Sequence, residues 1–542
     1  MGLVLCSLLL GLGPSFQDPA AESQKVQPLS ERERAVHLLS RLAFGGRPGD
    51  LERVLEMGVE AWIDQQLQPQ DLKDSWCDGL ISELPSVSMN QVEINNEYGQ
   101  RVPAGASLEE RRKIQRRRNT PRYELMQSVL VRALTSERQL QEVMSEFWRN
   151  HFNVSFTKGA GISLMINTYE KDVIRGHVFG QFHSMLEASA KHPAMLFFLD
   201  NALSRRPATK TELKAIGRRT RRETGSEVRA DQAVQLAKQR GLNENYAREL
   251  LELHTLGVDN FYKQKDVVAV AEALTGWTIR EAKRGDDPGF RFENAMHVPG
   301  NKRVLGKVIR TERDNGVIEG EQILTLLARH RGTAEFISEK LLRYLVADEP
   351  PKALLKATSK EFQKTKGDLQ AVISFILKSD EFWQREHFQA KFKTPFEFVT
   401  SSLRVTGAEF ENTGSILRVL IEMGQPVYMC DPPTGYYDTA EAWLDPGVLA
   451  TRWEFALNLA AGKLEGIRIP DSFYEDVPVE PARLWQHHLS QKIIPAGVGK
   501  RTQDALTRTT NAYLRRNKTP DIRQLGPQLV GLLLGSPEFQ RQ

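Results

Sequence analysis

"YELMQSVLVRALTSERQLQEVMSEFWRNHF", Tyr123 to Phe152, decides the fold. Its apolar residues return every three or four positions, the period of a helix rather than the period of two of a strand. Met144, Phe147, Trp148 and His151 fall at i, i+3, i+4 and i+7 and share one face. The same period recurs outward from this stretch. "ERERAVHLLSRLAFG" puts Ala35, Leu38, Leu39 and Leu42 on one stripe and ends at Gly45-Gly46. "GDLERVLEMGVEAWIDQQL" repeats it with a break near Gly58, and "VVAVAEALTGW", "TAEFISEKLLRYLV", "LQAVISFILKSDEFW" and "GPQLVGLLLGSPEF" read alike. Strand-like alternation is scarce. The best run is Phe290 to Ile309, where Pro299-Gly300-Asn301 offers a hairpin turn. The expected fold class is mainly α: a large multi-helical globular protein with one short β-hairpin.

The 542 residues are 40% hydrophobic and 26% charged, an ordinary globular mix, and the net charge of +4 makes no global field for nucleic acid or membrane. The opening "MGLVLCSLLLGLG" has the length of a signal-peptide core but lacks a positive n-region. Residues 1–25 are expected to be a signal peptide or N-terminal tail, and the protein to be periplasmic or secreted. No later apolar run approaches the length of a membrane span. The body is expected as a helical core over 26–463 and a C-terminal helical region over 464–542, part of the same unit. Two basic stretches, near 91–121 and 204–241, read as insertions or mobile loops: "RRKIQRRRNTPR" and "RRPATKTELKAIGRRTRRETGSE". Such runs are solvated faces or docking sites for an anionic polymer. No aromatics interleave with these arginines, so no specific nucleic-acid binding is expected. After the leader only Cys77 and Cys430 remain, and no CxxC occurs.

Polar residues cluster in several places. On a helix through "NENYARELLELHTLGVDNFY" (243–262), Asn245, Arg248, Glu249 and Glu252 share one stripe, and Ala247, Leu250, Leu251, His254 and Val258 gather on the other side. Glu249 and His254 stand about 140° apart around the axis, which removes the HExxH zinc-helix reading. His254 is either a satisfied core histidine or a pocket group that meets other helices. The stripe is either a surface face of ion pairs or a buried set whose charges must be paired. His151, beside Asn150, is a core histidine on an aromatic face or a general acid/base tuned by burial. His192 stands near the N-cap of a helix beginning at Pro193, and Asp200-Asn201 caps the next segment or supplies ligand oxygens. Gly276-Trp277 interrupts a helix; His297 and Lys302 mark the expected hairpin. "MGQPVYMCDPPTGYYDTAEAW", rich in Pro, Gly and Tyr, walls a pocket or covers a core. The sharp expectation is that His151, His192, Asp200, Asn201, Asn245, Arg248, Glu249, Glu252 and His254 converge in part on one pocket. There His151, Arg248, Glu249, Glu252 and His254 would be catalytic, with a divalent metal as an open cofactor.

With these motifs in view, the chain resembles a family of bacterial proteins, DUF1800. "HLLSRLAFGGRPGDLERVLEMGVEAWIDQQL", "FWRNHFNVS", "HPAMLFFLDN", "NENYARELLELHTLGVDNFY", "DVVAVAEALTGWTI" and "KTPFEFVTSSLR" carry the resemblance, with the "GQPVY…PPTGYYDTAEAWLDPGVLATRWEFALNLAAG" region. The family pattern near Met296 is a His-Asp pair followed by Gly, Lys and Leu-Gly. Here His297 and Lys302 stand, and Val298 replaces the acid. The resemblance implies a largely helical, exported protein and a partner from a second exported family, DUF1501. It implies no reaction. An acid–base or metal-assisted enzyme acting on a cell-surface or imported polymer and a non-enzymatic assembly or binding protein both remain as readings.

Overall fold

A computed structural model describes residues 27–239, 241–280, 289–312, 315–478 and 480–542. The leader expected at 1–25 lies outside them. Among the described residues the fold is mainly α, with twenty-four α-helices and three two-stranded sheets. No helix of the described residues is long and apolar enough to cross a membrane.

The deciding stretch is two helices, Leu108–Thr135 and Gln139–His151. The break is fastened by Asp74, whose carboxylate accepts from Ser136 Oγ at 2.5 Å and from the Glu137 amide at 3.1 Å. One apolar core runs from Ala35 to Phe539. The C-terminal helix Ile522–Leu534 joins it by packing on Pro446–Ala460 and Trp485–Ile493.

Two expectations are corrected. The single hairpin with a turn at Pro299-Gly300-Asn301 is replaced by different pairings. Phe290–Phe292 pairs backward with Trp277–Ile279, while Lys302–Val304 pairs with Lys307–Ile309. The connecting Leu305 and Gly306 both have positive φ, 49° and 77°. A two-residue turn of that kind matches the strand twist. The Leu305 amide donates to Asp266 at 2.8 Å, which holds a leucine in a conformation it rarely adopts. A third small sheet joins Glu409–Phe410 to Ile467–Arg468.

The two basic stretches are helices, not loops. The first holds Gln91–Tyr98 and the opening turns of Leu108–Thr135; the second holds Lys210–Thr224 and Glu227–Gln239. Their starts are locked by capping boxes at Asn90/Glu93 and Thr209/Glu212 and by a Ser107 cap. Arginine, lysine and glutamate are themselves good helix formers.

Candidate functional site

Of the expected convergence, the structure brings together His151 and His254. Helix Gln139–His151 presents His151 inward, and the turn after helix Asn245–Glu252 delivers His254 to it. Their ring centroids are 6.2 Å apart, and His151 Nε2 donates to the His254 carbonyl at 3.3 Å. Phe147, Trp148, Phe152 and Phe336 close around His151, leaving it 2% exposed. Burial, with the charge of Lys340 nearby, pushes His254 down to about 3, and burial holds His151 well below the ordinary imidazole range. Both rings are therefore neutral and sealed from solvent.

The stripe beside them goes elsewhere. Arg248 donates to Gln264 at 2.9 Å and to Glu244 at 3.4 Å, and stands 3.6 Å from Glu252. Glu252 accepts from the Tyr262 hydroxyl at 2.6 Å. Asn245 is exposed. Partial burial and the charge of Glu252 raise the Glu249 carboxyl. Glu249 meets His254 only through the main chain, its carbonyl accepting from the His254 amide at 3.0 Å. These groups form a half-exposed surface network and share no pocket with the two imidazoles, because the five-residue offset turns them outward.

The other candidates hold the fold together. His192 caps helix Pro193–Phe198, its Nδ1 accepting from the Ala194 amide at 3.1 Å. Asp200 pairs with Lys158 at 2.7 Å, and Asn201 donates to the carbonyls of Leu274 and Trp277 at 3.2 and 3.1 Å. Trp277 packs against Gly320, where no Cβ fits. His297 Nδ1 donates to the Thr275 carbonyl at 2.8 Å, and Lys302 reaches Glu319 at 2.5 Å. Glu319, fully buried and 3.4 Å from His297 Nε2, supplies the carboxylate that Val298 does not. Among the described residues no three His, Cys, Asp or Glu side chains gather to hold a metal ion. Cys77 and Cys430 are free, buried thiols, pushed up to about 11 by burial.

Helix Gln139–His151 carries a second polar stripe, Glu142, Glu146, Arg149 and Asn150, with Asn153 just beyond the helix, of which the sequence pointed only to Asn150. The spacing i, i+4, i+7, i+8, i+11 was the signal that could have found it. Opposite runs a π-helical segment, Tyr169–Arg175, which projects Glu170 and Arg175 toward the stripe. Arg149 grips Glu170 with two bonds of 2.9 and 3.1 Å, and Arg175 grips Glu142 with two of 2.7 and 2.8 Å. Tyr428, at a φ of 57°, donates to Glu170 at 2.5 Å. Asn150 pins the Pro/Gly/Tyr-rich loop, accepting from the Tyr436 amide at 2.7 Å and donating to its carbonyl at 2.9 Å. Asn153 donates to the carbonyls of Cys430 and Pro432.

Between helix and loop lies a cavity of about 30 Å³, lined by Glu146, Arg149, Asn150, Tyr428 and Tyr436. That is room for one or two waters. Glu146 accepts from the Tyr344 hydroxyl at 2.9 Å, and burial, with the charges of Glu397 and Asp438, raises its carboxyl to about 7. A carboxyl at that value can give or take a proton near neutral pH.

The second basic stretch forms an antiparallel helical arm. Helix Lys210–Thr224 buries none of its residues in the body; it leans on Glu227–Gln239, with Gly217 close to Val234. Arg206, Arg219 and Arg221 are paired with Glu212, Glu223 and Glu227. Lys210, Lys214, Arg218 and Arg222 are exposed, and among the described residues they stand in no ion pair. They recur at every fourth position, about 6 Å apart along the axis.

No curated protein and no solved structure matches the chain significantly. A family model described as "Protein of unknown function (DUF1800)" matches residues 37–541, which takes in both imidazoles, the Glu146 cleft and the arm. The chain belongs to the DUF1800 family.

Proposed function

We propose that this is an exported binding protein that holds an anionic polymer of the cell envelope, an acidic polysaccharide, along its helical arm. The observation that carries the reading is the cation ladder Lys210, Lys214, Arg218 and Arg222, exposed and unspent on carboxylates among the described residues. A row of charges with a regular rise suits a linear polyanion, and such binding is driven by counterion release. Without aromatic rings on the arm there is no platform on which bases would stack. The histidines and buried acids fit this reading as structural groups, since most are spent on caps, carbonyls and ion pairs.

Heparin serves as the probe. The full chain should be retained on immobilised heparin in about 0.1 M NaCl, and a variant with all four ladder residues changed to Gln should bind at least about tenfold more weakly. Equal retention of both proteins, or none of the wild type, contradicts the reading. Duplex DNA bound as tightly as heparin would overturn the choice of a polysaccharide.

One observation favours a second reading, an acid–base enzyme: the Glu146 carboxyl, raised to about 7 beside Tyr344 in a small cavity. Its titration by carbon NMR of labelled glutamate should show a midpoint near neutral pH. A midpoint in the ordinary glutamate range, about 4.3, would remove this reading.

A further inference from the structure

A larger cleft, about 280 Å³, opens on another side of the molecule. One wall is the end of helix Glu31–Arg41 and the glycine-rich turn Gly45 to Gly49; the other is the segment Gln491 to Ala496 with Glu538, Phe539 and Arg541. Gly45 has a φ of 80° and lies against Ser401, where a Cβ would sit 3.0 Å from the Ser401 Cβ. The turn can hug helix Pro395–Val405 only as glycine.

Lys393 enters this cleft. It is 7% exposed, and among the described residues its amine has no hydrogen-bond acceptor and no carboxylate within 4.0 Å. It rests on the face of Phe539, 3.9 Å from the ring centroid. An unpaired buried ammonium is costly unless something anionic answers it. Burial, with Arg452 close by and only partly offset by Glu397, brings Lys393 down to about 7. At the rim stand Arg32 and Arg541, both exposed; neither is in an ion pair among the described residues, and Arg541 spends one nitrogen on the Ala390 carbonyl. The lining acids are mostly occupied. Asp476 pairs with Lys492 at 2.7 Å, and Glu538 accepts from the Gly499 amide and Thr502 hydroxyl, each at 2.8 Å. Arg47 is held by Asp50 and Glu137. Glu52, on the exposed edge, is the remaining acid in the lining. The amides of Gly45 and Gly46 donate to no acceptor among the described residues.

We infer that this cleft is a binding site for a small oxyanion group, a phosphate ester or a carboxylate, held by Lys393 at its depth and by Arg32 and Arg541 at its mouth. The site is independent of the arm: it needs no polymer, and none of the ladder residues lines it.

Sulfate stands in for the phosphate ester and acetate for the carboxylate, since neither titrates between pH 6 and 8. The unfolding midpoint of the full chain is followed against each anion at constant ionic strength, with chloride as reference. Wild type should show a saturable rise with at least one of them, and the anion that saturates at lower concentration identifies the class. Lys393→Met should raise the apparent Kd about tenfold or more, and Arg541→Gln and Arg32→Gln about threefold each. Binding should weaken from pH 6 to pH 8 in wild type, as Lys393 loses its proton, and not in Lys393→Met. Lys393→Met removes an unpaired buried cation and is expected to fold; should it not, the two rim variants decide. A rise of the same size in all four proteins is the general salting effect of the anion and overturns the inference. So does no rise in wild type. Neither result bears on the heparin experiment.

Discussion

At Glu146 the surroundings disfavour charge, and stability must register it. The folded carboxyl titrates near 7 rather than 4.5, so between those values the unfolded chain sheds a proton that the folded chain keeps. Stability contributed by the protonated group is therefore full below about 4.5 and lost as pH rises through 7, by at most roughly 3 kcal/mol. Glu146→Gln should remove that loss, so its urea midpoint relative to wild type is higher at pH 8 than at pH 5. A difference that does not change with pH refutes the assignment. Gly435 makes a steric counterpart. Its φ is 72° and a Cβ there would overlap both oxygens of Asn150. Gly435→Ala should cost about 3 kcal/mol in chemical denaturation; a cost under about 1 kcal/mol would show that Asn150 does not pin the loop. Asn150 was legible in the sequence as a polar residue beside His151. Glu146 and Arg149 were not, because charged residues opposite an apolar helix face look like its solvated side, and their partners Tyr344 and Glu170 come from other segments.

Among the elements, helices with an apolar stripe were readable from their period, and the break at Ser136 to Arg138 was not, since Asp74 makes it from elsewhere in the chain. The basic stretches looked like loops for a physical reason. Helix Lys210–Thr224 fully buries no residue, and its half-buried stripe, Leu213, Ile216, Gly217 and Thr220, holds only two large apolar side chains, too thin a period to stand out. It stands instead on its capping box, its propensities and its partner helix. Thr209→Ala should therefore fray the arm, at a local cost of about 1 kcal/mol. Hydrogen exchange should rise over 210–224 while the core helices stay protected; unchanged exchange there would contradict a cap-dependent arm. The hairpin was misplaced because Leu305-Gly306, not the stronger-looking Pro299-Gly300-Asn301, makes the turn.

For the whole molecule, burial of neutral imidazoles sets the response to acid. His37 and His151 are held well below the ordinary range, and His192 and His254 are held near 3, burial being the first cause in each. Below about 6.5 the unfolded chain takes up protons on these rings and the folded chain does not. Stability should then fall as pH drops from about 6.5 toward 3, outweighing the opposing carboxyls Glu146, Glu249 and Asp438, which burial raises. A urea midpoint that stays flat from pH 7 to 4 would contradict this. Of the nine polar residues expected to converge in part, His151 and His254 meet, and most of the others are spent locally. The most direct measurement of the binding account is the salt dependence of heparin affinity for wild type and the four-fold Gln variant. The account predicts that log K falls against log [NaCl] with a slope of roughly −3 for wild type and near zero for the variant. Equal slopes in the two proteins would contradict it.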